Sequence, residues 1–204
     1  DSNPVNPIIG QRAFSSDAAT VAMMVEAAIK EFQADSIISC LKHFPGYGGA
    51  SEDDHFASAY LSASLSELEQ KDFLPFASGI ESGSPFVMVS HLSVPNVTGD
   101  DTPSDLSYTV VTELLRERLG FTGVIITDSH QMASVSGQYS PEEAAVMALK
   151  AGADMILMPQ SLSRAVQGVL AAVESGELTL QRIDESVLRI LKVKADFGLL
   201  PEQN

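Results

Sequence analysis

Polar and titratable side chains stand at the ends of three apolar runs, where a fold can bring them together. Lys42 and His43 end the first run, His91 ends the second, and Asp128 ends the third. Together they offer a nucleophile, proton donors and acceptors, and cationic groups for binding polar ligands. Each residue alone also has a structural explanation, since an aspartate can cap a helix and a histidine can make structural hydrogen bonds. Their convergence on one edge of a sheet favours a functional site.

A glycine-rich stretch after the first run carries a second candidate pair. Residues 44–55 read Phe-Pro-Gly-Tyr-Gly-Gly-Ala-Ser-Glu-Asp-Asp-His, and their three glycines and proline disfavour regular structure. Asp53 can accept a hydrogen bond from one ring nitrogen of His55 and raise the basicity of the other nitrogen. This arrangement suits proton transfer near neutral pH. The alternative is a solvated acidic loop.

Alternating helical and strand patterns must position these residues. Serine caps at Ser64 and Ser140, each with glutamate three residues later, mark two helix starts, and Gly152 marks a helix end. The predicted strands are 36–44, 86–91, 123–128 and 154–159. The predicted helices lie within 16–33, after 64, and within 107–119, 140–151, 161–175 and 180–197.

Strands that are apolar on both faces and alternate with helices predict an α/β fold with a parallel sheet. Four strands fit either a small doubly wound sheet or about half of an eightfold barrel, which typically has about 250 residues. In both architectures the ligand binds at the carboxyl ends of the strands. The candidate residues at those ends therefore share one face.

Composition and charge exclude several classes of protein. The 204 residues carry a net charge of −15, which disfavours nucleic acid and acidic membrane surfaces as partners. No apolar stretch reaches the roughly 18 residues that cross a bilayer, so membrane insertion is not expected. The single cysteine, Cys40, excludes an internal disulfide and is expected to be buried. The first residue is Asp1 rather than Met, and we expect a processed product or an excised piece.

Five motifs, in order along the chain, resemble glycoside hydrolase family 3, and more narrowly its bacterial β-N-acetylglucosaminidase branch. They are Lys42-His-Phe-Pro-Gly46, Asp53-Asp-His55, Ser90-His91, Gly123-Val-Ile-Ile-Thr-Asp128 with Met132, and Ala151-Gly-Ala-Asp-Met155. The segment from Asn6 to Arg12 is similar to one near the middle of the family's barrel. The resemblance implies a (β/α)8 TIM-barrel fold in which residues 1–204 form a partial barrel domain, roughly its C-terminal half.

The resemblance also implies an activity, a retaining glycosidase that releases terminal β-linked N-acetylglucosamine from cell-wall fragments or chitooligosaccharides. Asp128 matches the nucleophile, and His55 matches the general acid/base with Asp53 as its orienting partner. The residues that match sugar-binding positions are Lys42, His43, Arg12 and His91. The family needs no metal and no organic cofactor.

The chain departs from the family pattern in its loops. Tyr47 and Gly49 stand where His and Asp are common, and Ser129-His130 replaces the commoner Asp-Leu. His130 is therefore either a rim residue for the leaving group or a solvent-facing loop residue.

The family's first barrel strands, with a sugar-binding aspartate, are expected upstream of Asp1. An open half-barrel would expose an apolar edge, so we expect association with the missing half or with another copy. Acidic charge and similarity to envelope-acting members favour a secreted or cell-surface bacterial protein, with the cytoplasm as the alternative.

Three other functions stay open. A metal-dependent hydrolase could use His43, His91, His130 and Asp128 as zinc ligands, although no His-x-His pair ends a first strand. A doubly wound binding or signalling domain could use Asp128 as a phosphoacceptor or helix cap, but the acidic companions that hold magnesium are missing. An inactive sugar-binding half-barrel is the third, and the intact set of catalytic candidates argues against it.

Overall fold

Four parallel strands form the sheet of the computed structural model, which describes residues 3, 6, 9–50 and 59–200. They are β1 (Cys40–Phe44), β2 (Phe86–Val89), β3 (Val124–Ser129) and β4 (Met155–Leu157). The strands lie side by side in chain order, and each neighbouring pair is parallel. Successive strands of a barrel follow this order, whereas a doubly wound sheet reverses it. The predicted α/β class is confirmed, and the order is of the barrel type.

Helices separate the strands as the sequence predicts. The α-helices are α1 (Ala18–Ala34), α2 (Leu65–Glu67), α3 (Phe73–Glu81), α4 (Pro95–Thr98), α5 (Ala133–Ser136), α6 (Pro141–Ala151), α7 (Leu162–Glu174) and α8 (Leu180–Asp196). Helical segments of other pitch are the 3₁₀ turns Gly10–Arg12 and Ser104–Leu106 and the π-type segments Leu68–Asp72 and Thr109–Arg118. The Ser64 and Ser140 capping boxes are both present, and Gly152 ends α6 with a φ of 116°.

The two central strands supply the most buried part of the core. Val87 and Val89 of β2 and Val124 and Ile125 of β3 have no exposed surface. Burying an aliphatic side chain of this size stabilises a fold by about 1.5–3 kcal/mol. Central strands packed in this way fix the positions of the residues at their carboxyl ends, His91 after β2 and Asp128 in β3.

The amino ends of the strands are tied together by one buried acid. Asp154, directly before β4, has a fully buried side chain and accepts a hydrogen bond from the Ile125 backbone N–H at 2.9 Å. It also accepts hydrogen bonds from the Ser186 hydroxyl at 2.6 Å, from Arg189 at 3.0 Å, and from Arg116. These contacts join β3, β4, the π-type segment Thr109–Arg118 and α8.

The structure corrects the prediction for Cys40, which is exposed rather than buried. The reason is that β1 is an edge strand whose exposed face lines a groove. Apolar side chains are also exposed on α7, where Leu162, Val166 and Leu170 follow one another at helical spacing. Within the described part of the chain, no helix has the length and apolar character needed to cross a membrane.

Candidate active site

Asp128 lies at the carboxyl end of β3, where its carboxylate is partly open to solvent, with 19% of the side chain exposed. One oxygen, Oδ1, accepts a hydrogen bond from the Ser129 backbone N–H at 2.8 Å. The other, Oδ2, lies 3.6 Å from Nε2 of His43. The Leu157 N–H donates to the Thr127 hydroxyl at 3.1 Å and so holds the end of β3 against β4. A carboxylate fixed at a rigid strand end can act as a nucleophile or as a base.

A groove of about 370 Å³ opens beside β1 and collects three of the predicted sugar-binding residues. Arg12 reaches it from the 3₁₀ turn, Lys42 from the exposed face of β1, and His43 from the end of the same strand. The rings of His43 and Tyr47 meet edge to face, with centroids 6.0 Å apart. Asp128 does not line the groove in the described part of the chain, but its carboxylate adjoins His43. Cationic donors around a cleft are suited to binding hydroxyl groups.

Gly46 ends the Lys-His-Phe-Pro-Gly motif and packs tightly against the helix that precedes α3. Its φ is 133°, and a Cβ at this position would lie 2.6 Å from the Cβ of Asp72. Only glycine fits both the conformation and the space. Asp72 also lines the groove, and burial raises the pKa of its carboxyl group although Lys71 acts in the opposite direction. The motif glycine therefore keeps an acid close to the cationic residues.

His91 is placed behind Asp128 rather than on the groove. Its side chain is fully buried, and Nδ1 donates to Oδ1 of Asp105 at 2.9 Å while Nε2 donates to the Ser129 carbonyl at 2.9 Å. A carboxylate and a carbonyl can only accept hydrogen bonds, so both ring nitrogens carry protons and the ring is a cation. Burial opposes that charge, but Asp105 overcomes it and raises the pKa of His91 to about 9. The structure thus gives His91 a supporting position instead of the sugar-lining position expected from the sequence.

Asp105, which the sequence analysis did not single out, is the acceptor for His91. It lies in the 3₁₀ turn Ser104–Leu106 with no exposed surface, and its Oδ2 accepts a hydrogen bond from Nε2 of His130 at 2.9 Å. Burial by itself would raise its pKa, but the charge of His91 and the hydrogen bonds from both histidines hold the pKa below its usual value. The sequence did contain one indication of this role. His91 and His130 both follow buried strands, and buried N–H groups of their rings need a hydrogen-bond acceptor such as a carboxylate.

His130 is neither a rim residue nor a solvent-facing residue, because its side chain is 3% exposed and directed at Asp105. Two of the histidines of the metal-site alternative, His91 and His130, are therefore bonded to Asp105. No group of three or more His, Cys, Asp or Glu side chains in the described ranges is arranged to hold a metal ion. Asp53 and His55, the predicted acid/base pair, lie outside the described residues, and their roles stay predictions.

Residues 1–193 match the family model described as the glycosyl hydrolase family 3 N terminal domain. The chain belongs to glycoside hydrolase family 3. Its placement in the C-terminal half of a barrel is corrected by this match, because the matching model is that of the family's N-terminal domain. The parallel sheet agrees with the TIM-barrel-like fold of that domain.

Two relatives that this family 3 chain is similar to are a beta-hexosaminidase and a protein named for both beta-N-acetylglucosaminidase and beta-glucosidase. It is 33% identical to beta-hexosaminidase A of Pseudoalteromonas piscicida over 95% of this chain and 36% of the relative. It is 33% identical to a beta-N-acetylglucosaminidase/beta-glucosidase of Cellulomonas fimi over 98% of this chain and 37% of the relative.

A solved structure of a family 3 beta-N-acetylglucosaminidase from Paenibacillus sp. str. FPU-7 has a similar fold. It matches with a TM-score of 0.95 and 36% identity, over 100% of this chain and 39% of that one. The chain thus spans little more than a third of the length of these three proteins.

Proposed function

We propose that this chain carries the nucleophile and sugar-binding residues of a retaining β-N-acetylglucosaminidase. The observation that carries the proposal is the Asp128 carboxylate, fixed at the end of β3 and 3.6 Å from His43 beside a groove with cationic residues. The names of the Pseudoalteromonas and Paenibacillus relatives support the choice of an N-acetylated amino sugar. The substrate class is terminal β-linked N-acetylglucosamine in cell-wall fragments or chitooligosaccharides.

The reaction proceeds in two displacements with retention of configuration. The Asp128 carboxylate attacks the anomeric carbon, and the glycosidic bond breaks as His55 donates a proton to the departing oxygen. His55 then takes a proton from water, whose oxygen attacks the anomeric carbon and releases Asp128 from the glycosyl ester. Asp53 holds the imidazole in the orientation needed for both transfers.

Substrate binding falls to the cationic side chains of the groove. Arg12 and Lys42 donate hydrogen bonds to sugar hydroxyls, and His43 contacts the sugar next to Asp128. His91, buried and with both nitrogens bonded, supports the nucleophile from behind.

β-Glucosidase activity is the second candidate. The Cellulomonas relative, similar to this chain over nearly its whole length, is named for both activities. A site that binds the other ring hydroxyls but accepts either an acetamido group or a hydroxyl group at the second carbon would act on both sugars.

Nitrophenol release tests the proposal. Two substrates are used, nitrophenyl β-N-acetylglucosaminide and nitrophenyl β-glucoside. Each is incubated with the 204-residue chain and, separately, with the full-length product of the gene that encodes it. We expect turnover of the acetamido sugar with retained configuration. Preference for the glucoside would support the second candidate, and no release from either sugar would contradict both.

A His55→Ala variant tests the acid/base role. Nitrophenolate leaves without a proton, so bond cleavage on the aryl glycoside should be spared, whereas turnover of chitobiose should be lost. Equal losses on the two substrates would remove His55 from this role.

Two further expectations remain proposals. We place the protein outside the bacterial cell or at its surface, where cell-wall fragments occur, and cell fractionation followed by detection with an antibody tests this.

We also propose that the chain associates with the rest of its barrel or with another copy through its exposed apolar side chains, among them Leu162, Val166 and Leu170 of α7. Sedimentation should detect species larger than 21.7 kDa, and a monodisperse monomer would contradict association.

A further inference from the structure

The segment after β3 is held by a buried network that no step of the proposed reaction uses. Oδ1 of Asp105 binds His91, and Oδ2 of Asp105 binds His130, both at 2.9 Å. Asp105 and His91 have no exposed side-chain surface, and His130 has 3%. We call these three residues the Asp105 cluster. It spans the turn after β2 and the end of β3.

The cluster acts on the backbone on either side of Ser129. The Ser129 carbonyl accepts a hydrogen bond from Nε2 of His91, and the Ser129 N–H donates to Oδ1 of Asp128. The backbone N–H of His130, the next residue, donates a hydrogen bond to the Leu157 carbonyl at 3.0 Å. The residue that orients the Asp128 carboxylate is therefore itself fixed by the cluster.

We propose that Asp105 and His91 are positioning residues for Asp128, acting through Ser129 to fix the direction of its carboxylate. This inference rests on the proposed nucleophilic role of Asp128. Both oxygens of Asp105 are bonded, so the His91 ring that contacts the Ser129 carbonyl has one fixed orientation. A carboxylate that must attack one carbon gains from an exact direction, since a displacement of about 1 Å can cost about 10²-fold in rate.

The cationic ring also supplies a positive charge near the end of β3, where Ser129 connects it to the Asp128 carboxylate through two hydrogen bonds. Burial opposes the charge of His91, while Asp105 and, to a smaller extent, Asp128 raise its pKa. When the Asp128 carboxylate becomes a neutral ester, the cation is held in place by Asp105. The cluster thus keeps its geometry through both displacements.

The first test needs no enzyme activity. The chain contains four histidines, so the nitrogen-15 spectrum of the imidazole rings can be assigned with single His→Gln variants. At pH 7 we expect both nitrogens of His91 to be protonated in the wild type, and one of them to be unprotonated in Asp105→Asn. A neutral His91 ring in the wild type would overturn the inference.

The second test measures turnover of the nitrophenyl glycoside. Asp105→Asn should lower kcat by about 10²-fold and change KM by less than about twofold, because the sugar still binds but is attacked from a poorer direction. Asp101→Asn makes the same change at an exposed position of the preceding loop and should leave both constants unchanged. Unchanged kcat in Asp105→Asn would overturn the inference and leave the proposed function standing. No turnover in the wild type would overturn the proposed function first.

A pair of His91 variants covers the case in which Asp105→Asn fails to fold. The amide of His91→Gln can still donate to the Ser129 carbonyl, whereas His91→Ala cannot. We expect His91→Gln to recover about tenfold of the kcat that His91→Ala loses. Equal kcat in the two variants would overturn positioning through Ser129.

Discussion

Two fully buried aspartates lie at opposite ends of the same sheet, and their partners differ. Asp154, at the amino end, is surrounded by the guanidinium groups of Arg116, Arg182 and Arg189. Asp105, at the carboxyl end, is bound by the imidazoles of two histidines. Guanidinium groups keep their charge across the physiological pH range, whereas imidazoles can gain or lose it.

The difference separates a part of the molecule that holds the fold from a part that supports chemistry. The contacts of Asp154 join the starts of β3 and β4 to the π-type segment Thr109–Arg118 and to α8, and Asp154 does not line the groove. Asp105 binds His91, which in turn donates a hydrogen bond to the carbonyl of Ser129, the residue beside Asp128. In α/β sheets the carboxyl ends of strands carry function and the amino ends carry stability. Substitutions at the two ends should therefore change different measured quantities.

The largest expected effect is the loss of activity in Asp128→Asn. A neutral amide cannot form the glycosyl ester, so kcat/KM should fall by at least about 10³-fold. The free energy of unfolding, measured in urea, should change by less than about 1 kcal/mol, since the side chain is partly exposed. Full activity in this variant would contradict the role of Asp128 and, with it, the chemical assignment of this end of the sheet.

The second prediction concerns the amino end, where Asp154→Ala should reduce the free energy of unfolding by about 3–5 kcal/mol. The variant leaves three arginines around a buried site without their acceptor. Asp184→Ala on α8 is the matched control, because it removes an exposed aspartate and should cost less than about 0.5 kcal/mol. Turnover per folded molecule should be retained in Asp154→Ala at low temperature. A large loss of turnover with little loss of stability would reverse the comparison.

The sequence predicts the local features of this sheet better than the contacts between residues far apart in the chain. The four strands, the helix caps at Ser64 and Ser140 and the helix end at Gly152 follow from local patterns, and the structure confirms them, although β1 and β4 are shorter than the predicted 36–44 and 154–159. Asp128 could be placed at a strand end for the same reason. These features depend on residues a few positions apart, so periodicity and capping residues reveal them.

Contacts between distant residues could not be read in the same way. Asp105 meets His91 and His130 across separations of 14 and 25 residues, and Asp154 meets Arg116 across 38. The sequence shows an acid in a short polar turn, and the tertiary fold decides that the acid is buried. The position of His91 was mistaken for the same reason, because a pattern of residue types does not show which way a ring at a strand end points.

The third prediction uses pH to separate the two buried acids. The pKa of His91 is raised from 6.5 to about 9, so its contribution to stability is complete below pH 6.5 and is lost as pH rises through 9. The pKa of Asp105 is lowered, so its contribution is present above its unfolded value of 3.8 and is lost as pH falls through the folded value. At the other end, burial lowers the pKa of Arg116 to about 10, which still exceeds that of His91.

Between pH 6 and pH 9, the free energy of unfolding of the wild type should therefore fall by up to about 3 kcal/mol more than that of Asp105→Asn. Urea unfolding at the two pH values measures the difference. Asp184→Ala should follow the wild type, because it leaves the cluster intact. Parallel pH profiles for the wild type and Asp105→Asn would show that His91 is not held as a cation.

The smallest expected effect contrasts two arginines. Arg12 is exposed and lines the groove, so Arg12→Ala should raise KM about tenfold, equivalent to about 1.4 kcal/mol of binding, with kcat nearly unchanged. Arg182 donates to the carbonyls of Leu149 and Ala153 and lies 3.8 Å from Asp154, so Arg182→Ala should lower stability and leave KM unchanged. Steady-state kinetics gives the KM of each variant, and urea unfolding gives the free energy of unfolding of each. An unchanged KM in Arg12→Ala would remove this residue from the sugar site while leaving the nucleophile and its support untouched, because Arg12 lies in the 3₁₀ turn Gly10–Arg12 and Asp128 lies in β3.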